Sequence, residues 1–269
     1  MDYIQISYIY KVSHMTPLKR ALIEKVGHDH GFEHVLPAVG DAVYLGSARH
    51  LARVAVSLVS HEFVAQLEQG PVTLPPELDR SFANWPRIGH AFVATTEDAL
   101  AQWLRRVAAL ALALPNQAAV DFEVQVQQAL KALPAADIQS TEVQRMVRQR
   151  LGQDRYRQAM LAYWGGACAV TGLTLQPALR ASHAKPWADC QSDAERLDVF
   201  NGFLLSANLD ALFDRFLISF TDAGDLLISA QVSANDRLTL GLCDELKLRW
   251  VTPDHIPYLE FHRNRFENL

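Results

Sequence analysis

Residues equipped for chemistry concentrate in the second half of the chain. His183 follows a short alternating stretch (Ala178, Leu179, Ala181) and precedes Lys185-Pro186, which places it where a strand enters a loop. It is the only histidine between residues 141 and 250. Asp210 and Asp214 stand four residues apart in a predicted helix over 207–215, so both carboxylates project from one face. Two acids on one face repel unless a positive charge lies between them. A divalent cation with oxygen ligands relieves that repulsion, and Mg²⁺ is the usual choice where phosphates are handled. A metal ion stabilises charge on a phosphate and on its leaving oxygen. An imidazole, with its near-neutral pKa, takes the proton from water. These residue types together suit hydrolysis of a phosphodiester with one metal ion.

The elements that must position them are partly legible. Ser140 or Thr141 caps a predicted helix running to about Tyr163, with Glu142 in its first turn. Arg145, Arg148, Arg150, Arg155 and Arg157 oppose a single acid, Asp154, and read either as a solvated face or as phosphate contacts. Asn201-Gly202 signals a turn. The first half reads as mixed α and β. A strand is expected over 4–12 and a helix over 16–26 with Pro17 in its first turn. Residues 41–45 and 53–59 fit strand or helix equally, because short apolar runs carry no deciding period. Pro71, Pro75, Pro76 and Pro86 make 70–90 loop-rich, and helices are expected over 99–114 and 120–133. The stretch Pro134–Ser140 is the best linker. The expected organisation is therefore a domain over 1–135, a linker over 136–140 and a second domain over 141–269. His28, His30 and His34 have metal-like spacing, but Gly27 and Gly31 weaken a helix there, and surface polarity around a turn is the preferred reading.

Composition excludes several classes. With 269 residues, 49% apolar, the chain can bury a sizeable core and is not a disordered tail. The longest apolar run, around 107–114, is far short of the ~20 residues that span a bilayer. No N-terminal secretion signal is visible, and Cys168, Cys190 and Cys243 form neither a disulfide framework nor a zinc set, so a cytoplasmic protein without membrane partners is expected. The net charge of −5 opposes loose coating of nucleic acid and leaves a local basic groove open. The two halves are balanced alike, 11 basic and 14 acidic groups over 1–140 against 14 and 16 beyond, so charge marks no boundary.

From about Thr141 onward the chain resembles the HNH endonuclease superfamily, in its restriction-endonuclease-type branch. The resemblance rests on Gly152-Gln153 with Tyr156-Arg157, residues 168–172, Ser182-His183, residues 185–187, Asn201-Gly202, residues 212–215 and 217–220, and the tail Tyr258 to Arg263. It implies an α+β chain whose C-terminal half is a ββα-metal nuclease module preceded by a helix, with an unrecognised mixed α/β domain before it. Residue by residue, His183 matches the general base and Asn201 the central asparagine that fixes the loop. Asp210 stands where the signature's final histidine is common, and Asp214 matches the second metal position. Ser182 replaces a frequent ligand, so the chain reads H-N-D, and its oxygen donors favour Mg²⁺ or Mn²⁺. Of the cysteine pairs that hold a zinc in many relatives only Cys168 is present, with Ser206 and Leu209 at later positions. No structural zinc is expected, and Trp164, Trp187 and Phe203 are expected to fill that space. Arg155, Arg157 and Lys185 are the expected DNA contacts, although Lys185 equally suits covering the strand end with its methylenes.

The function so implied is a metal-dependent endonuclease on double-stranded DNA, restriction-type or modification-dependent, with target choice in the N-terminal domain. A homodimer is expected if both strands of a symmetric site are cut. Two other readings stand beside it. One is an antiphage effector whose N-terminal domain senses a small molecule or partner. The other is an HNH module that binds DNA without catalysis.

Overall fold

The computed structural model describes residues 14–37, 40–114, 117–132, 140–243 and 245–268. The strand expected over 4–12 and linker residues 136–139 lie outside them. The chain divides into two compact units, 1–117 and 118–269.

In the first unit a sheet orders its strands β1 (His34–Leu36), β2 (Val43–Gly46), β3 (Arg53–Val59), β4 (Glu62–Gln69), β6 (Ala91–Ala94) and β5 (Arg87–Ile88), all pairs antiparallel. The ambiguous run 53–59 is a strand because it is rich in β-branched residues and closes a hairpin. Ser60 and His61 both take positive φ, 49° and 72°, the conformation that a two-residue hairpin loop needs. Helix α1 (Pro17–Asp29) starts where the Thr16 hydroxyl accepts from the Lys19 amide at 3.3 Å. Helix α3 (Glu97–Ala113), capped by Thr96, buries Leu100, Trp103, Leu104 and Val107. The proline-rich region holds a helix rather than only loop: α2 (Leu74–Ser81) places Pro75 and Pro76 in its first turn, where a missing N–H costs nothing. His28 lies in α1, His30 beyond its end and His34 on β1, so the three share no helix face.

Helix α4 (Gln117–Lys131) starts at the last residue of the first unit and runs into the second, where α5 (Thr141–Tyr163) follows, capped by the Ser140 hydroxyl on the Val143 amide at 3.4 Å. Strand β7 (Leu179–His183) pairs antiparallel with β8 (Gly202–Ser206), setting His183 opposite Gly202. A loop with one helical turn, α6 (Asp193–Arg196), joins them. Helix α7 (Ala207–Phe213) follows β8 directly. It stops short of the expected Arg215, because Phe216 takes φ 57° and the Leu217 amide reaches back to the Leu212 carbonyl at 2.9 Å, closing the helix end.

Beyond α7 come a hairpin of β9 (Ile218–Phe220) and β10 (Leu226–Ile228), α8 (Ala234–Thr239) and α9 (Ile256–Phe266). Phe203, Phe213 and Phe220 pack ring against ring in the core. Fully buried His262 of α9 ties it together: Nδ1 shares a hydrogen with the Ser219 hydroxyl at 2.9 Å, and Nε2 donates to the Phe213 carbonyl at 2.9 Å. Among the described residues no helix is long and apolar enough to cross a membrane.

Candidate active site

His183 ends β7 and is held on three sides. Its Nε2 lies 2.8 Å from the Arg196 carbonyl oxygen. A carbonyl only accepts, so Nε2 carries the proton and Nδ1 keeps its lone pair. The ring stacks on Tyr156 of α5, centroids 3.8 Å apart, and meets the Trp187 ring edge-on at 5.8 Å. Burial pushes the imidazole pKa down to about 4, while the Arg196 carbonyl and the Asp214 carboxylate pull it the other way. The ring is therefore neutral, and a proton acceptor, at neutral pH.

Asn201 organises the loop that supplies that carbonyl. Fully buried, it accepts from the Lys185 amide at 2.8 Å and donates to the carbonyls of Lys185 at 3.2 Å and Glu195 at 3.1 Å. Its own carbonyl accepts from the Tyr156 hydroxyl at 2.9 Å, so α5 is bonded to the base of the loop. Next to it, Gly202 takes φ 149°, and a Cβ there would strike the Ser182 carbonyl and the Tyr156 hydroxyl. Gly202→Ala is accordingly expected to destabilise the fold by about 3 kcal/mol. Urea unfolding should show the drop as a lower midpoint at unchanged slope. Gly152 does the same service one layer out, since a Cβ on it would enter the Trp187 ring.

Asp210 and Asp214 lie at the first turn and the C-cap of α7. Asp210 Oδ1 accepts from the Ser182 hydroxyl at 2.5 Å, which fixes the carboxylate against β7. Asp214 is exposed. Among the described residues no three His, Cys, Asp or Glu side chains gather into a metal cage. Asp210 and Asp214 offer carboxylate oxygens, the donor type that hard cations prefer.

The three basic candidates are placed differently from one another. Arg157 gives its guanidinium to the carbonyls of Leu179 at 2.8 Å and Gln176 at 3.1 Å. Its charge faces no carboxylate among the described residues. Lys185 pairs with Glu195 at 2.6 Å, largely cancelling its charge. Arg155 is half-buried on α5. Where a zinc was not expected, Trp164 and Phe203 are buried as anticipated, but Trp187 stands at the His183 ring instead. The third place is taken by Trp250, stacked on Trp164 at 4.1 Å, with Arg249 donating to the carbonyls of Trp164 and Ala167. The Cys168 sulfur accepts from the amides of Val170 and Thr171.

In the sequence Tyr156 stands out only as part of a motif, and Arg196 belongs to none. Spacing reveals neither, because Tyr156 and Arg196 lie 27 and 13 residues from His183 and only the folded chain brings them to its ring. Ser182 was noted only as a missing ligand, yet it holds Asp210.

Protonation links the site to stability. His183 and His262 both have folded pKa values near 4, lowered chiefly by burial from 6.5. The unfolded chain takes up these protons first, so stability falls as pH drops from about 6.5 towards 4, by about 3 kcal/mol for each ring. Asp198 acts in the opposite sense: burial raises it from 3.8 to about 6, so the fold gains from its protonation over that interval. With two rings against one carboxyl, a net loss is expected. Chemical denaturation from pH 7 to 4.5 checks it, and His262→Gln should flatten the dependence.

Residues 168–221 match the family model described as HNH endonuclease. No curated protein matches the chain. The matched segment contains His183, Asn201, Asp210 and Asp214, and the C-terminal half of this chain carries an HNH endonuclease domain, a phosphodiester hydrolase module.

Proposed function

We propose that the protein is a metal-dependent endonuclease of double-stranded DNA, of restriction type, with His183 as the general base. The observation that carries the reading is the Nε2 hydrogen bond from His183 to the Arg196 carbonyl. It leaves Nδ1 as the proton acceptor on a ring whose neutral form persists well below pH 7. The hairpin β7–β8 followed by α7 supports a ββα arrangement with the carboxylates beside the base. Asp210 and Asp214 would hold one Mg²⁺ or Mn²⁺. When bound, that ion supplies charge stabilisation at the scissile phosphate and the leaving oxygen.

The residues of the chain perform the rest. Tyr156 and Arg196 orient the imidazole, Nδ1 takes the proton of the attacking water, and the nearby Asp214 carboxylate favours the imidazolium that results. Asn201 holds the loop throughout. Arg155 contacts backbone phosphate. Arg157 adds positive potential from a fixed position, while Lys185 acts mainly through Glu195. Backbone contacts of this kind position the enzyme without reading sequence, so target choice falls to the N-terminal residues 1–135, and cutting both strands falls to a homodimer.

Plasmids carrying or lacking modified bases, incubated with Mg²⁺ or Mn²⁺, test the whole reading. Preferential cutting of one class supports target choice by the first domain, and uniform cutting of every DNA opposes it. Asp214→Asn is expected to raise the Mg²⁺ concentration for half-maximal cutting about tenfold or more, read from a metal titration.

A further inference from the structure

The carbonyl that holds His183 belongs to a residue whose side chain is itself fixed by a line of ion pairs. Arg196 donates from Nη2 to the Cys190 carbonyl at 2.6 Å, from Nε to the Trp187 carbonyl at 3.2 Å, and from Nη1 to Asp193 Oδ1 at 3.0 Å. Asp193 divides its carboxylate. Its other oxygen, Oδ2, accepts from Nη1 of Arg148 on α5 at 2.7 Å. Arg148 turns its Nη2 to both oxygens of Glu123 on α4, at 2.9 and 3.0 Å. Glu123, Arg148, Asp193, Arg196 and His183 thus form one unbroken line from α4 to the imidazole.

Stability does not explain this line. The side chains of Arg148, Asp193 and Glu123 are 37%, 33% and 49% exposed, and ion pairs so exposed add little to folding. What the line provides is direction. Each oxygen of Asp193 serves a different guanidinium, and a planar guanidinium orients its partner in a way a lysine ammonium does not. Arg196 is gripped by Asp193 on one side and by two loop carbonyls on the other. Its own carbonyl therefore points at His183 from a braced turn rather than a free loop.

An imidazole needs such bracing because its proton can sit on either nitrogen. If the Arg196 carbonyl drifts, nothing keeps the proton on Nε2. A ring protonated on Nδ1 presents a donor where the reaction needs an acceptor. We propose that Arg148 and Asp193 are positioning residues that brace the Arg196 carbonyl, holding His183 in its Nε2-protonated tautomer, with Glu123 on α4 as the outer anchor. The proposal rests on the reading of His183 as the base.

The full-length protein, labelled with ¹⁵N at histidine, tests this at neutral pH. Two-bond ¹H–¹⁵N correlations report which ring nitrogen carries the proton, and the signal lost in His183→Ala identifies the residue. The wild type is expected to show Nε2 protonated. In Arg148→Gln and Asp193→Asn the Nε2-protonated fraction should fall. Plasmid-nicking kcat should fall about tenfold with KM for DNA changed less than twofold. Arg148→Lys should recover only part of the loss, and Glu123→Gln, at the exposed end, should shift the tautomer less but in the same direction.

Unchanged tautomer populations in Arg148→Gln and Asp193→Asn overturn the proposal. If either variant fails to fold, Arg148→Lys and Glu123→Gln decide it by the same spectrum. A wild type that cuts no DNA leaves the tautomer measurement intact. A shift without nicking therefore upholds the bracing and counts against the nuclease reading, and nicking without a shift does the reverse.

Discussion

His183→Ala is expected to lower the rate of DNA cleavage about 10³-fold while leaving DNA binding within a factor of two. The reason is the singular position of this ring. Stacked on Tyr156 and bonded through Nε2 to the Arg196 carbonyl, it is the histidine at the end of β7 and presents its other nitrogen as acceptor. The two further histidines of the second unit, His255 and His262, are fully buried, and His262 has both ring nitrogens engaged. Neither can replace it. Single-turnover nicking of supercoiled plasmid measures the loss, and a denaturation curve close to wild type assigns it to chemistry. Burial holds the His183 pKa to about 4, so the base is deprotonated throughout the range above pH 5. Its titration should leave no acid limb near 6.5 in the wild-type rate profile.

Asn201 should give the largest combined effect on folding and activity. Asn201→Ala leaves the Lys185 amide and the carbonyls of Lys185 and Glu195 without their buried partner. Unmet buried groups cost about 1–3 kcal/mol each, so a loss of roughly 3 kcal/mol or more is expected. Asn201→Asp is expected to be worse than Ala. One carboxylate oxygen would face two carbonyl oxygens that now receive hydrogens from the amide, in a site with no exposure to water. Urea midpoints should rank wild type above Ala and Ala above Asp. Cleavage should fall in both variants although His183 is intact, because the loop they release carries the Arg196 carbonyl.

How much of this was readable from sequence depends on how local each feature is. The start of α5, for which the sequence offers Ser140 or Thr141 as the cap and where Ser140 serves, and His183 at a strand end are set by neighbours within a few residues. Proline content misled over α2, because two prolines at a helix start look like a loop until the start itself is known. The run 53–59 needed its hairpin partner to become a strand, and its turn, Ser60-His61, lacks the usual Asn-Gly signal. At the site, the residue types were legible and their supports were not. Spacing says that two aspartates share a helix face. It does not say that Ser182 binds one of them, that Trp187 leaves the core for the His183 ring, or that Trp250 takes its place. Ser182 and Asp210 are 28 positions apart and Trp164 and Trp250 are 86, so folding alone brings these pairs together.

The most direct measurement is conversion of supercoiled plasmid to open circle by the purified protein, with Mg²⁺ and with EDTA. Nicking is expected in Mg²⁺, should cease in EDTA, and should return when Mg²⁺ or Mn²⁺ is restored. Nicking that persists in EDTA, or DNA that stays intact with either ion on every plasmid tried, would contradict metal-dependent cleavage.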